Sequence, residues 1–410
     1  MSRPSGDSIA DCVLKTFEAL PAKCKPRIQE KGRREWVPLA GIVLSKDHDN
    51  TQSLTCAALA TGMKCLPQNK IGLANGNILH DSHAEILAIR SFNRFLLDEC
   101  AELAKKGFGN DHTSAWIKWR TQGEGHAQHH PPFALQEDVK IHMYTSQTPC
   151  GDASMELTMS SQEDSTPWAV RQEGEMLGRG NFDQLGVVRR KPARPDAPQT
   201  LSKSCSDKLA MKECTGLLTG VVSTLIDVGG TWLSTLVVPE EEWRMCKAGM
   251  ERAWGTDGRM APLASKEVHE RWQRHGYRFR PFEIQTTTRN FTFAKPVTPD
   301  PNVLHSNLST LWTPRRQETI INGVLQGRKQ LDPKGASCVS RKLLWKTALD
   351  VALLVGVAVL GKRTYAEMKG SYELRARESI KKDVKELALK PWVRNEGDED
   401  FALETASKHE

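Results

Sequence analysis

From Ala84 to Leu97 the chain reads AEILAIRSFNRFLL, with apolar side chains on nearly every helical face. That pattern predicts a helix buried on most sides, which must lie against other layers of structure. Just before it, Ser82-His83-Ala84-Glu85 has the form of a capping box, in which Ser82 and Glu85 satisfy two backbone N–H groups at the helix start. Capping accounts for neither the imidazole of His83 nor the guanidinium of Arg90. A charge on a buried helix costs several kcal/mol in desolvation unless it is paired.

The flanking segments suggest what surrounds this helix. Asp7 or Ser8 is placed to cap a first amphipathic helix with Ile9, Val13, Phe17 and Leu20 roughly on one face. WVPLAGIVLS (36–45) and LTCAALATGMKCL (54–66) read as strands, and VKIHMYTSQTPCGD (139–152) as a β-rich run ending in a turn. SKSCSDKLAM (202–211) opens a strand or helix, GLLTGVVSTLI (216–226) reads as buried, and 364–390 as one long charged helix closed by KPWV. Strands alternating with helices imply an α/β sandwich with helices on both faces. Polar stretches near 105–138 and 160–200 read as surface insertions, and no linker divides the 410 residues, so a single domain over 1–410 is expected.

Composition narrows the function. The net charge is +7, a mildly basic balance that permits RNA as a partner without requiring it. Ten dispersed cysteines and a start, MSRPSGDSIAD, without an apolar signal core suggest reduced thiols in an intracellular protein, in nucleus or cytoplasm. VALLVGVAVL (351–360) is too short to span a bilayer and reads as core, so no membrane association is expected.

Three short pieces carry chemistry: HAE at 83–85, TPCGD at 148–152 and SCSDK at 204–208. One imidazole and two thiolates suit zinc with a fourth position open for water. Zinc lowers the pKa of such a water to about 7. Glu85, two residues from His83, reaches that water without being a ligand, as deamination of an amidine carbon requires of a proton-carrying carboxylate. The usual deaminase signature continues Pro-Cys-x-x-Cys, but Ala153 stands where its second cysteine would be. The third ligand must come from elsewhere, and Cys205 is the natural candidate. Spacing alone leaves a second reading open, buried thiols that never meet metal.

HDSHAEILAIRSFNRFLL, SQTPCGDASM and SCSDKLA together resemble the adenosine deaminases that act on RNA, whose third zinc ligand lies in Ser-Cys-Ser-Asp-Lys. GNFDQLGVVRRKPARPDAPQTLSKSCSDK (180–208) resembles the tRNA-specific branch, and the similarity runs from WVPLAGIV to KPWV. The resemblance implies a cytidine-deaminase-like three-layer α/β fold with a central mixed sheet, insertions and a C-terminal helical region. It implies His83, Cys150 and Cys205 as zinc ligands and Glu85 as the proton shuttle. It also implies a buried inositol hexakisphosphate, with Arg90, Lys208, Arg341, Tyr365, Lys369, Tyr372 and Trp392 as its contacts, although Ile89 and Met211 stand where the family has arginines. Lys64 matches the segment that lines the target nucleotide.

The implied substrate is the adenosine 3′ of the anticodon in alanine tRNA. No obligate protein partner and no separate duplex-RNA-binding domain are expected. Composition adds Arg189, Arg190, Lys191 and Arg194, in a proline-rich loop, as RNA contacts. His126, His129 and His130 read as solvent-exposed loop residues. The rival classes are a free-nucleoside or free-base deaminase, a deaminase editing other structured or double-stranded RNA, and a catalytically silent RNA-binding subunit.

Overall fold

The computed structural model describes residues 3–28, 33–48, 51–108, 114–120, 130–160, 176–178, 180–191, 198–296, 300–357 and 361–403. In chain order its elements are α1 (Gly6–Glu18), β1 (Arg34–Trp36), β2 (Leu39–His48), β3 (Thr51–Thr61), α2 (Ala84–Lys106), β4 (Ile117–Trp119), β5 (Phe133–Leu135) and β6 (Val139–Thr145). There follow α3 (Met155–Ser160), α4 (Cys205–Thr215), β7 (Leu233–Pro239), α5 (Glu240–Trp254), α6 (Lys266–Gln273), β8 (Glu283–Thr287) and β9 (Val303–His305). The chain closes with β10 (Ser309–Thr313), β11 (Arg316–Ile321), β12 (Val324–Leu325), α7 (Arg341–Leu354), α8 (Tyr365–Lys369) and α9 (Arg375–Leu387).

An eight-stranded sheet runs β12-β11-β10-β3-β2-β6-β7-β8. Its β6–β7 and β7–β8 pairs are parallel and the others antiparallel, so the sheet is mixed as expected. β2 shows why it is a middle layer. Ala40, Ile42 and Leu44 join the large core with Leu87, Phe92 and Leu96 of α2, whereas Leu39 and Val43 join a second core with Ile9, Val13 and Phe17 of α1. Alternate side chains thus feed two cores, helix-sheet-helix. Among the described residues, no helix is long and apolar enough to cross a membrane.

Several expectations require correction. The polar stretch 105–138 begins with the last turn of α2 and contains the β4–β5 hairpin. The run 202–211, open between strand and helix in sequence, is a helix from Cys205, capped by the Ser204 hydroxyl, which accepts the Asp207 N–H at 3.2 Å. In 351–360 the first two residues are buried, but Leu353 and Leu354 are 69% and 53% exposed at the end of α7. Residues 358–360 lie outside the described residues. The single helix predicted over 364–390 is broken at Gly370–Ser371 into α8 and α9.

The capping box does not form. His83 is the N-cap of α2, and no side chain caps it. The amides here are met otherwise: Ser82 N–H donates to Lys64 O at 2.8 Å, His83 N–H to Asp81 Oδ1 at 2.9 Å and Ala84 N–H to Gly62 O at 2.9 Å. Gly62 permits this approach, since its φ is +145° and a Cβ there would lie 2.1 Å from Ser82 O. Glu85 is thereby freed from capping.

Candidate metal centre and its surroundings

One turn and two helix starts converge. β6 delivers Pro149–Cys150, the start of α4 delivers Cys205, and the start of α2 delivers His83 and Glu85. The turn and the start of α4 touch at Gly151, whose φ is +113° and where a Cβ would lie 2.1 Å from Ser204 Oγ. The Ser206 N–H and hydroxyl both donate to Cys150 O, at 3.0 and 2.9 Å. His83 Nδ1 is 3.8 Å from Cys150 Sγ. One ligand atom from each of His83, Cys150 and Cys205 lies within 4.8 Å of the others. Three soft or borderline donors around one point, with no fourth protein donor in that set, fit an open tetrahedral zinc site. A hydrogen bond from Cys205 and the neighbouring charges of Lys191 and His83 hold the Cys150 thiol well below its usual range, against the effect of burial. A thiolate is the form that binds metal.

Glu85 sits in the first turn of α2, only 6% exposed. Burial and the Cys150 charge raise its pKa above the ordinary carboxylate value, while His83 and Lys191 work against them. That moves it in the direction a proton carrier at neutral pH needs.

Behind the ligands lies a chain of buried charges that the sequence did not reveal. Lys191 Nζ donates to Cys205 Sγ at 3.2 Å and to Asp81 Oδ2 at 2.9 Å. Lys208 also pairs with Asp81, and Ser202 Oγ donates to the same oxygen at 3.1 Å. Asp81 Oδ1 accepts the His83 N–H at 2.9 Å. This corrects the expectation for Lys191. It is 3% exposed and faces the metal ligands, so it is not a solvated RNA contact. Arg189 and Arg190 are likewise buried, at 3% and 7%, and Arg189 donates to the carbonyls of Gly180, Asn181 and Gln184. Arg194, His126 and His129 lie outside the described residues, while His130 is exposed. Lys64 is half-buried, next to the Cys65–Asp81 bridge and so beside the His83 turn.

The residues expected around a polyphosphate are brought together in part. Arg90 gives its Nε–H to Val339 O at 2.8 Å, and burial lowers its pKa to about 10, with Arg341 opposing the charge and Tyr365 and Asp81 favouring it. Arg341 donates to Asp398 O at 2.9 Å, and Lys369 pairs with Glu378 at 2.7 Å. Trp392 lies under Lys203 Nζ, 5.6 Å from the ring centroid. Tyr372 stands apart, 49% exposed and stacked beneath Arg375. Ile89 and Met211 are buried in the large apolar core.

Sequence reading missed Lys203, Lys212, Arg377 and Lys381. Burial and like-charge neighbours lower Lys203 to about 7 and Lys381 to about 8, although Glu378 partly supports the latter. Burial, with Arg377, Lys381, Lys369 and Arg90, lowers Lys212 further. The signal was present. Lys208 and Lys212 stand four apart on α4, and Arg377, Lys381 and Lys385 four apart on α9, giving facing basic stripes on two helices that pack together.

A mixed sheet between helical layers, with His83 and a buried Glu85 at one helix start, Cys205 at another and Cys150 in the turn after β6, has the architecture that a hydrolytic deaminase of the zinc-site class requires. The chain belongs to the adenosine-deaminase (editase) domain family, which it matches over residues 58–396. It is 34% identical over 401 residues to a Schizosaccharomyces pombe protein called tRNA-specific adenosine deaminase 1, covering 96% of each chain. A Saccharomyces cerevisiae protein of the same name is 32% identical over 58% of this chain and 59% of its own. A mouse double-stranded RNA-specific editase B2 is 30% identical over 44% of this chain and 24% of its own.

Proposed function

We propose that the chain acts as one domain that hydrolyses adenosine to inosine in tRNA, with His83, Cys150 and Cys205 holding zinc and Glu85 carrying protons. The observation that carries this is the convergence of those four residues in a chain similar along almost its full length to a tRNA-specific deaminase. Bound zinc would supply the Lewis acidity that makes water a nucleophile at neutral pH. Glu85 takes a proton from the attacking water and delivers it to the adenine ring nitrogen. It then assists departure of the amino group, so that water is consumed and ammonia released. Lys191 holds Cys205 and Asp81 holds the His83 amide, which fixes two ligands in place. Lys64, beside this turn, would meet a phosphate of the flipped nucleotide.

The inositol hexakisphosphate reading is supported by the crowd of cations between α2, α4, α7 and α9. Arg90, Lys208, Lys212, Arg341, Lys369, Arg377 and Lys381 are opposed there by few carboxylates, Asp81, Glu378 and Asp398. A buried polyanion of high charge would relieve their mutual repulsion. Mass spectrometry of the denatured protein should release it; a folded, active protein yielding none would remove this part of the reading.

For the substrate, the adenosine 3′ of the alanine anticodon remains the specific expectation. Unpaired loop bases cost least to extrude, and a folded RNA body offers phosphates to a basic protein. The test is to incubate the enzyme with alanine tRNA, its isolated anticodon stem-loop and perfect duplex RNA, then map inosine by sequencing. Whole alanine tRNA should be deaminated well, the stem-loop poorly and the duplex not at all. Efficient editing of duplex with an untouched tRNA would overturn the assignment.

A further inference from the structure

Cys150 and Cys205 lie 55 residues apart, on turns that are not joined by a continuous element. Something must hold them at one separation. Each cysteine is followed two residues later by an aspartate, Asp152 or Asp207, and both aspartates are fully buried. The same stretch of chain, α5 and the turn after it, reaches both.

Arg252 on α5 grips the first turn. Its Nε–H lies 3.2 and 3.1 Å from the two Asp152 carboxylate oxygens, its Nη2 donates to Asp152 O at 2.8 Å, and its Nη1 to Glu156 Oε1 at 3.1 Å. Arg259 grips the second turn. Its Nη1 donates to Asp207 Oδ1 at 2.6 Å, while its Nε donates back to Ala253 O at 3.1 Å. Asp207 Oδ2 is already occupied by the Ser204 hydroxyl and the Arg189 N–H. Between the two arginines, Trp254 Nε1 donates to Ser206 O at 3.0 Å. The helix also lies close against the first turn: a Cβ on Gly249 would stand 3.0 Å from Ala153 O.

We propose that segment 249–259 is a brace that sets the separation of the two zinc thiolates, with Arg252 and Arg259 as positioning residues. This rests on the zinc reading above. Neither arginine is called on to touch substrate. Arg252, bonded at once to the carboxylate and the carbonyl of Asp152, fixes its turn in two directions, and Arg259 ties Asp207 back to Ala253 O of α5, which a point charge does not do. Groups of this kind behind metal ligands are worth about 10–100-fold in metal affinity or activity.

The test uses the full-length zinc protein and three variants, Arg252→Gln, Arg259→Gln and Arg244→Gln. Arg244 lies on the same helix, exposed and paired with Glu240. Zinc affinity is read by chelator competition at a temperature where circular dichroism shows each variant folded. Thiolate geometry is read from the charge-transfer absorption of the cobalt-substituted proteins. Arg252→Gln and Arg259→Gln should each weaken zinc by about 10–100-fold and alter the cobalt spectrum. They should lower kcat while leaving KM for tRNA near wild type, and Arg244→Gln should change none of these. Should the glutamine variants fail to fold, Arg252→Lys and Arg259→Lys decide by the same readouts, with a smaller loss expected. Folded variants with lower melting temperature but wild-type zinc affinity and spectrum would overturn the brace alone. A wild-type protein without tight zinc would overturn the metal reading and the brace with it.

Discussion

Asp81 has two carboxylate oxygens and five donors competing for them: the His83 N–H, the Cys65 thiol, Lys191, Lys208 and the Ser202 hydroxyl. Burial alone would raise its pKa, but Lys191 and Lys208 outweigh burial and hold it well below the ordinary carboxylate range. It is therefore charged at any working pH, and it couples the candidate metal ligands to the basic interior. Asp81→Asn leaves the buried Lys191 and the partly exposed Lys208 short of an anion, and losing one partner of a buried pair such as Asp81–Lys191 costs ~3–5 kcal/mol. Its melting temperature should fall, and bound zinc should fall with it. On the proposed mechanism, Glu85→Gln removes a proton carrier and no ligand. Metal analysis should find zinc retained, while inosine formation drops at least ~10²–10⁴-fold. Loss of zinc in that variant would mean that Glu85 serves the ligand geometry instead. At this scale His83, Glu85 and Cys150 were legible because the motif is local, three residues and five. Asp81 and Lys191 were not, since their roles arise from an antiparallel bridge at Cys65–Asp81 and another at Arg190–Lys203. No spacing rule relates those segments, and a run of Arg-Arg-Lys beside prolines reads as a solvated loop until burial is known.

At the scale of elements, the long charged segment before KPWV is the instructive case. It reads as one charged helix with Lys369 and Tyr372 as polyphosphate contacts, yet it breaks at Gly370 and α9 turns Arg377, Ile380 and Val384 inward. Arg377 is 4% exposed and donates to Thr215 O and to Leu218 O, at 2.7 and 2.5 Å. These carbonyls lie at and just after the C-terminal end of α4, where a cation is electrostatically favoured. The guanidinium therefore docks α9 onto the helix that starts with Cys205. Arg377→Met should strip the charge while keeping apolar volume, leaving the buried Thr215 carbonyl unpaired at ~1–3 kcal/mol, while Leu218 O keeps Lys212 Nζ at 2.8 Å. Equilibrium denaturation should show a loss of that size, with zinc content unchanged in the folded fraction; an unaltered midpoint would show that water or a neighbour replaces the guanidinium. The strands and α2 were legible because apolar period and burial agree there. The end of α8 at Gly370 was signalled only by one glycine within a charged run, and its inward arginine looked like its solvated neighbours.

For the whole molecule, the decisive quantity is the charge sealed between α4, α7 and α9. Lys203 and Lys381 have pKa values lowered to about 7 and about 8, first by burial and then by like charges, including Lys208 for the one and Lys369 for the other. Below those values both lysines are charged in the folded and unfolded chain alike, and the full cost of burying them is present. As pH rises through them the folded protein releases protons that the unfolded chain keeps up to its ordinary value of about 10.4, so stability rises with pH. A bound polyphosphate reverses this, because its negative charge raises both pKa values and leaves the lysines protonated throughout. Refolding from denaturant, with the anion dialysed away and inositol hexakisphosphate either withheld or restored, separates the two cases. Between pH 7 and 8.5 the anion-free protein should gain on the order of ~2 kcal/mol from the two lysines together. Its folded fraction should therefore climb with pH, while that of the anion-loaded protein stays nearly flat. The window lies below the range where ordinary cysteines ionise, about 8.5 and above. The buried thiols of Cys100 and Cys214 are pushed higher still by burial and an adjacent glutamate. Identical pH profiles with and without the anion would mean that Lys381 settles its charge with Glu378 and Lys203 with Asp207 alone, and that the basic interior is a structural network with no polyphosphate to hold.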